Sequence, residues 1–217
     1  MLSALVAIVL STHSPAALRE LARAAEVAYE RADEPAQALP LLEGAVGELR
    51  ELQKSPALAL SLDRAQAEEE LAAALAAARG DDEPGLRASA NALSAALGEV
   101  LAEREPRLLS TLYQIEVLLR EVRVDAEAGT LSDEGPALRS AQPLWSRLSQ
   151  GAPFVGSPAA AQFGMELSAV SQAVETGNTD LLRRALPQAE EALQDLEDEA
   201  AAWLHVRRPV ASSRPRR

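Results

Sequence analysis

The sequence predicts an all-α protein of about eight antiparallel helices, most simply two tandem four-helix up-down bundles. Three observations carry this reading. Ala and Leu supply 45 and 35 of the 217 residues, against 20 for Ile, Val and Thr together. Ala and Leu favour helix, whereas the β-branched residues favour strands. Apolar residues recur at steps of three and four along the chain, and strand-like alternation is absent. X-Pro pairs punctuate the chain where helices would begin, because proline fits the first helical turn. A superhelical array of helix pairs is the alternative. The 34-residue tetratricopeptide signature is missing, and these segments are too long for that repeat.

The elements follow in order. Residues 1–16 open with ten uncharged, mostly apolar residues, Met1 to Leu10. Ten are too few to span a bilayer but match the apolar region of a secretory leader, with Ser14-Pro15-Ala16 as a small-residue cleavage site. The missing basic n-region argues against a leader, and an apolar opening element packed on the core is the other reading. Ser14-Pro15 then starts a helix with the stripe Leu18, Leu21, Ala25 and Ala28. Glu34-Pro35 starts the next, with Leu39, Leu42, Val46 and Leu49, and Pro40 inside it as a kink candidate. Ser55-Pro56 precedes an Ala-rich helix (Ala67, Leu71, Ala74, Ala78) that permits close approach and ends at Gly80 as a left-handed cap. Asp82-Glu83-Pro84 starts the fourth, through Leu86, Ala90, Leu93, Leu97 and Val100; its acids complement the helix dipole.

A second bundle is expected over residues 105–204, after the first over 17–104. Glu105-Pro106 opens a helix with the stripe Leu108, Leu112, Ile115, Leu119 and Val122. Gly135-Pro136 opens another, with Leu138, Ala141, Trp145 and Leu148, and Pro143 inside. Ser157-Pro158 opens a third, with Phe163, Leu167, Val170 and Val174, capped by Gly177. The last runs Leu182, Leu186, Ala189, Leu193, Leu196, Ala200 and Trp203, one stripe over about three heptads. The connection Gln150–Ser157 contains the apolar segment Gly151-Ala-Pro-Phe-Val-Gly156, which either folds back as a plug or marks a contact surface. Residues 205–217 carry five Arg and no acid and read as a solvated, disordered basic tail. Weak internal duplication runs through the chain. Leu86-Arg87 and Ala96-Leu97 match Leu182-Arg183 and Ala192-Leu193 at an offset of 96, and Glu26-Val27 matches Glu116-Val117 at an offset of 90.

Charge narrows the partners. The net charge is −12, with 33 acidic residues against 21 basic ones, despite the basic tail. Such a body repels nucleic acid, and only the tail offers a weak contact to an anionic surface. With no Cys and two His, thiol catalysis, disulfides and Cys-ligated metal are excluded. No Glu-x-x-His pair, phosphate loop, Gly-x-Ser-x-Gly or Gly-x-Gly-x-x-Gly occurs, so neither an enzyme nor a cofactor is expected. The acidic loop Asp125–Gly135 fails as a calcium-binding EF-hand, whose positions 5, 6 and 12 would fall on Gly129, Thr130 and Pro136. Runs such as Glu68-Glu69-Glu70, and Glu190 and Glu191 with Asp195, Glu197, Asp198 and Glu199, read as solvated helix faces.

The helix after Pro106 is the least ordinary. Between its main stripe and a second patch (Leu109, Tyr113, Val117, Val124) runs a polar stripe of Glu116, Arg120 and Arg123. Flanked by apolar surface on both sides, that stripe either lines a pocket or forms an ion-pair seam. The candidate ligand-binding residues are therefore Tyr113, Glu116, Arg120, Arg123 and Trp145. The function expected is a non-catalytic binding or scaffold module, exported to the cell envelope, that takes a protein partner or small ligand. The alternative is a cytosolic adaptor using the Leu182–Trp203 stripe as a partner-helix seam. Divalent-cation binding by the acidic faces is a weaker third.

Overall fold

A computed structural model describes residues 16–53, 64–104, 107–131 and 135–207. Among them the chain is all-helical, with eight helices and no strand. They are α1 (Ala16–Glu30), α2 (Pro35–Gln53), α3 (Arg64–Gly80), α4 (Glu83–Arg104), α5 (Arg107–Ala128), α6 (Pro136–Ser149), α7 (Pro158–Glu175) and α8 (Thr179–Arg207). The leader reading, the starts at Ser14-Pro15, Ser55-Pro56 and Glu105-Pro106, and all but the first three residues of the basic tail fall outside the described residues, as do the side chains of those three. Pro35, Pro136 and Pro158 each occupy a first helical position, as their fixed φ and missing N–H favour. Ser157 caps α7 by accepting from the Ala160 amide at 3.2 Å.

The two sharpest turns are built alike. After α7, Gly177 takes φ 61°, the Asn178 amide reaches back to the Ala173 carbonyl, and Asn178 Oδ1 accepts from the Leu181 amide. After α3, the Asp82 amide reaches the Ala77 carbonyl and Asp82 Oδ1 accepts from the Gly85 amide. Both are Schellman closures followed at once by an Asx cap on the next helix. Corresponding residues stand 96 apart, the offset of the weak repeat. The expected left-handed Gly80 is corrected: the positive φ, 54°, belongs to Asp81. Closing the turn with the Asp82 amide requires the left-handed residue immediately before it.

Helix contacts run α1–α2, α2–α3, α3–α4 and back from α4 to α1, and likewise α5–α6, α6–α7, α7–α8 and α8 to α5. The α4–α5 contact joins the two circuits. Their apolar interiors are not separate, because one continuous cluster of buried side chains draws on all eight helices. Helix α5 is central, with Leu112, Ile115, Leu119 and Val122 buried on one side and Leu109, Tyr113 and Val117 on the other. The expected stripes are buried on α1, α3, α4, α7 and along α8 to Ala200. On α2 the buried face is turned by one residue: Ala38, Leu42, Ala45, Leu49 and Leu52 are covered, while Leu39 and Val46 are half-exposed. Small Ala38 and Ala45 let α2 lie closer to its neighbours than the larger residues beside them would.

Because Leu182, Leu186, Leu193 and Leu196 pack inside the chain, the α8 stripe is not a free seam for a partner helix. Phe154 folds back into the core at 1% exposure, whereas Val155 beside it stands 68% exposed. The Gln150–Ser157 connection is thus mainly a plug. It contains a cis Ala152–Pro153 bond.

Candidate functional site

The polar stripe of α5 faces a cleft where α1, α4, α5 and α8 meet. Its volume is about 520 Å³, and its walls include Glu26, Tyr29, Arg87, Glu116, Arg120 and Glu197. Arg120, 5% exposed, is held at its centre. Its two terminal nitrogens donate to both carboxylate oxygens of Glu26, at 2.7 and 2.5 Å. This bidentate pairing fits the planar guanidinium to the planar carboxylate. Nη2 also donates to Glu116 Oε1 one turn earlier on α5. The guanidinium carbon lies over the Tyr29 ring, 4.6 Å from its centre, in cation–π range. Farther along α5, Arg123 pairs with Glu190 of α8, its Nε 2.9 Å from Oε1. Arg87 of α4 reaches Glu127 of α5 at 2.6 Å and Glu83 at 2.9 Å.

The stripe therefore ties α1 and α8 to α5, and the Arg87–Glu127 pair ties α4 to it. Of the two readings open for it, the arrangement is that of an ion-pair seam, with a cleft beside it. Glu26 and Glu197 are each 1% exposed, and the Glu116 side chain, 14% exposed, pairs with the buried Arg120 guanidinium. Glu116 Oε2 is buried without a hydrogen-bond partner, as is the Tyr29 hydroxyl. Burial pushes the Glu116 carboxyl well above its ordinary range, helped by Glu197 and Glu26 and opposed by Arg120. Glu190 is also raised, by burial against the pull of Arg123. For Arg120, burial works against the charge, but Glu116 and Glu26 outweigh it and raise its pKa.

Not all five sequence-derived candidates meet here. Glu116, Arg120 and Arg123 do. Tyr113 does not line the cleft: it is buried between α4 and α5, its hydroxyl donating to the Ser94 carbonyl at 3.2 Å and its ring packed beside Gly98. Trp145 lies elsewhere, on α6, edge-on to Phe163 at 4.8 Å and tilted against Phe154 at 6.3 Å. Gly164 lets the indole close on α7, since a Cβ there would sit 3.3 Å from Nε1. Both stand on the apolar sides of their helices and so lie away from the polar stripe: Tyr113 is buried, whereas Trp145 is half-buried and lines a separate cleft with Phe154 and Gly156.

Sequence reasoning missed Glu26, Tyr29, Glu190 and Glu197. The solvated-face reading is corrected for Glu197, which is buried, and for Glu190, which is ion-paired. The available signal was position: Glu26 follows buried Ala22 by four residues and Glu197 follows buried Leu193 by four, so both fall on core-facing stripes. Among the described residues, no group of three or more acids or histidines is arranged to hold a metal ion. Nor is any helix among them long and apolar enough to cross a membrane. Fold and site thus define an all-helical protein whose two helix circuits are joined by one buried arginine–carboxylate pair, Arg120–Glu26, and by the more exposed pair Arg87–Glu127. Comparison with protein-family models, with curated proteins and with solved structures gives no match.

Proposed function

We propose that the chain is a non-catalytic helical binding or scaffold module whose working surface is the cleft between α1, α4, α5 and α8. The observation that carries this is the cleft itself: about 520 Å³, within the range of small-ligand sites. Arg87, Arg120 and Arg123 are engaged with carboxylates and Arg31 stands exposed at the rim, so what the cleft presents to a visitor is a shaped, hydrogen-bonding wall rather than a free base or nucleophile. The ligand class that fits is small and polar. Export to the cell envelope is the companion proposal, supported by the uncharged run Met1 to Leu10.

Two measurements test these proposals. A thermal-shift panel of small polar compounds should yield a ligand whose stabilisation is lost in Arg31→Ala, an exposed rim position, while the unliganded melting temperature stays unchanged. A hit indifferent to that change and to Gln194→Ala would move the site away from this cleft. For export, the intact mass of native protein from fractionated source cells should show loss of about fifteen N-terminal residues in the envelope fraction. Full-length protein in the cytosol would overturn it.

A further inference from the structure

A second cleft, of about 780 Å³, opens between the first two turns of α5 and the last turns of α6. It shares no residue with the cleft beside the seam. Elsewhere Arg79, Arg87, Arg120, Arg123 and Arg183 each pair with a carboxylate. The two arginines that line this cleft, Arg107 on α5 and Arg147 on α6, are exposed and pair with no acid among the described residues. Nor does any Asp or Glu line it among those residues. Arg147 Nε donates to the Pro143 carbonyl at 3.1 Å, which steadies the guanidinium and leaves both terminal nitrogens open. The hydroxyls of Thr111 and Ser110 donate to the Arg107 carbonyl, at 2.7 and 3.3 Å. The donors that remain for a visitor are therefore the two guanidinium groups and the half-buried amide of Gln114.

We infer that this cleft is a second binding site, for a small organic anion that carries a carboxylate on an apolar body. A concave wall with charge of one sign and low-dielectric sides concentrates the field on what enters it. The planar guanidinium fork matches a carboxylate in shape as well as in charge. The apolar part of the ligand follows from Leu108, Leu144 and Leu148. All three line the cleft and are only half-buried, so a hydrocarbon body laid against them removes apolar surface from water on both partners. The rest of the chain is acidic, with a net charge of −12 overall. At physiological salt charges are screened beyond about 8 Å. A single carboxylate held in the cleft is thus governed by the two arginines, whereas an extended polyanion also meets the acidic surface. The site is independent of the one proposed beside the seam and stands or falls without it.

Octanoate is the probe. Titration calorimetry should show one saturable site. Acetate, with the same head and no body, and 1-octanol, with the same body and no charge, should each bind at least about tenfold more weakly. Arg107→Ala combined with Arg147→Ala, both at exposed positions, should weaken octanoate by at least about tenfold. Arg31→Ala in the other cleft should leave it unchanged. No saturable binding overturns the inference, as does binding that the double variant retains or that 1-octanol equals. Acetate binding as tightly as octanoate overturns the assignment of an apolar body. Amide chemical shifts of the wild type locate the site without any variant. Changes on adding octanoate should gather at residues 107–114 and 144–152, and changes confined to other residues overturn the site.

Discussion

Arg120 shows how far one side chain commits this molecule. Arg120→Ala leaves Glu26 and Glu116 buried without their counter-charge, and breaking a buried pair from one side costs about 3–5 kcal/mol. Urea denaturation should register a loss of that size. Replacing both partners, Glu26→Leu with Arg120→Met, should recover most of it, since an apolar pair requires no compensation. The exposed pair Arg183–Asp180 is the control: Arg183→Ala, which leaves the first-turn acid Asp180 in place, should not move the midpoint measurably. Glu116, Arg120 and Arg123 were legible in the sequence because a polar stripe between two apolar patches of one helix is a local pattern. Their partners Glu26 and Glu190 were not, because pairing across 67 and 94 residues is set by how helices pack. The acids that pair and the acids that face water have the same composition; only their phase relative to the buried stripe differs.

At the scale of the helix, punctuation and periodicity sufficed. The starts at Pro35, Pro136 and Pro158 are where the X-Pro pairs put them, since proline's geometry acts within one turn. What escaped was finer. The α2 face is rotated by one residue, and the turn after α3 uses Asp81 rather than Gly80, because both depend on the fit to a neighbour. The matched turns yield a paired prediction. Gly177 has open space around a Cβ, so Gly177→Ala meets only the backbone cost of φ 61°, about 1 kcal/mol. Asp81 already carries that cost at the corresponding position, and Asp81→Gly should stabilise by about 0.5–1 kcal/mol. Opposite shifts in melting temperature for the two substitutions would establish the shared geometry. Helix α8 offers a sterner test. Leu193 is 2% exposed, so Leu193→Asp should cost at least about 3 kcal/mol. Circular dichroism should show lower helix stability. Dissociation of a discrete dimer with helix stability intact would instead restore the partner-seam reading of the stripe.

Over the whole molecule, the buried carboxylates and the net charge act in the same direction. Glu116, Glu190 and Glu30 all have raised pKa values, each chiefly through burial. The folded state therefore holds these protons more tightly than the unfolded chain, whose glutamates titrate near 4.3. Their contribution is greatest at and below that value and is lost as pH rises through each folded pKa. The net charge of −12 adds general repulsion, which also eases on acidification. Urea midpoints should accordingly rise as pH falls from 8 to about 5.5. Salt separates the two causes, because at 1 M the Debye length is about 3 Å and surface repulsion is screened, whereas buried groups feel little of it. The pH slope that survives in 1 M NaCl measures the buried carboxylates, and Glu116→Gln should reduce it. A wild-type slope that vanishes in high salt would mean that the acidity of the surface alone governs stability, and that the seam between the two helix circuits carries no proton of its own.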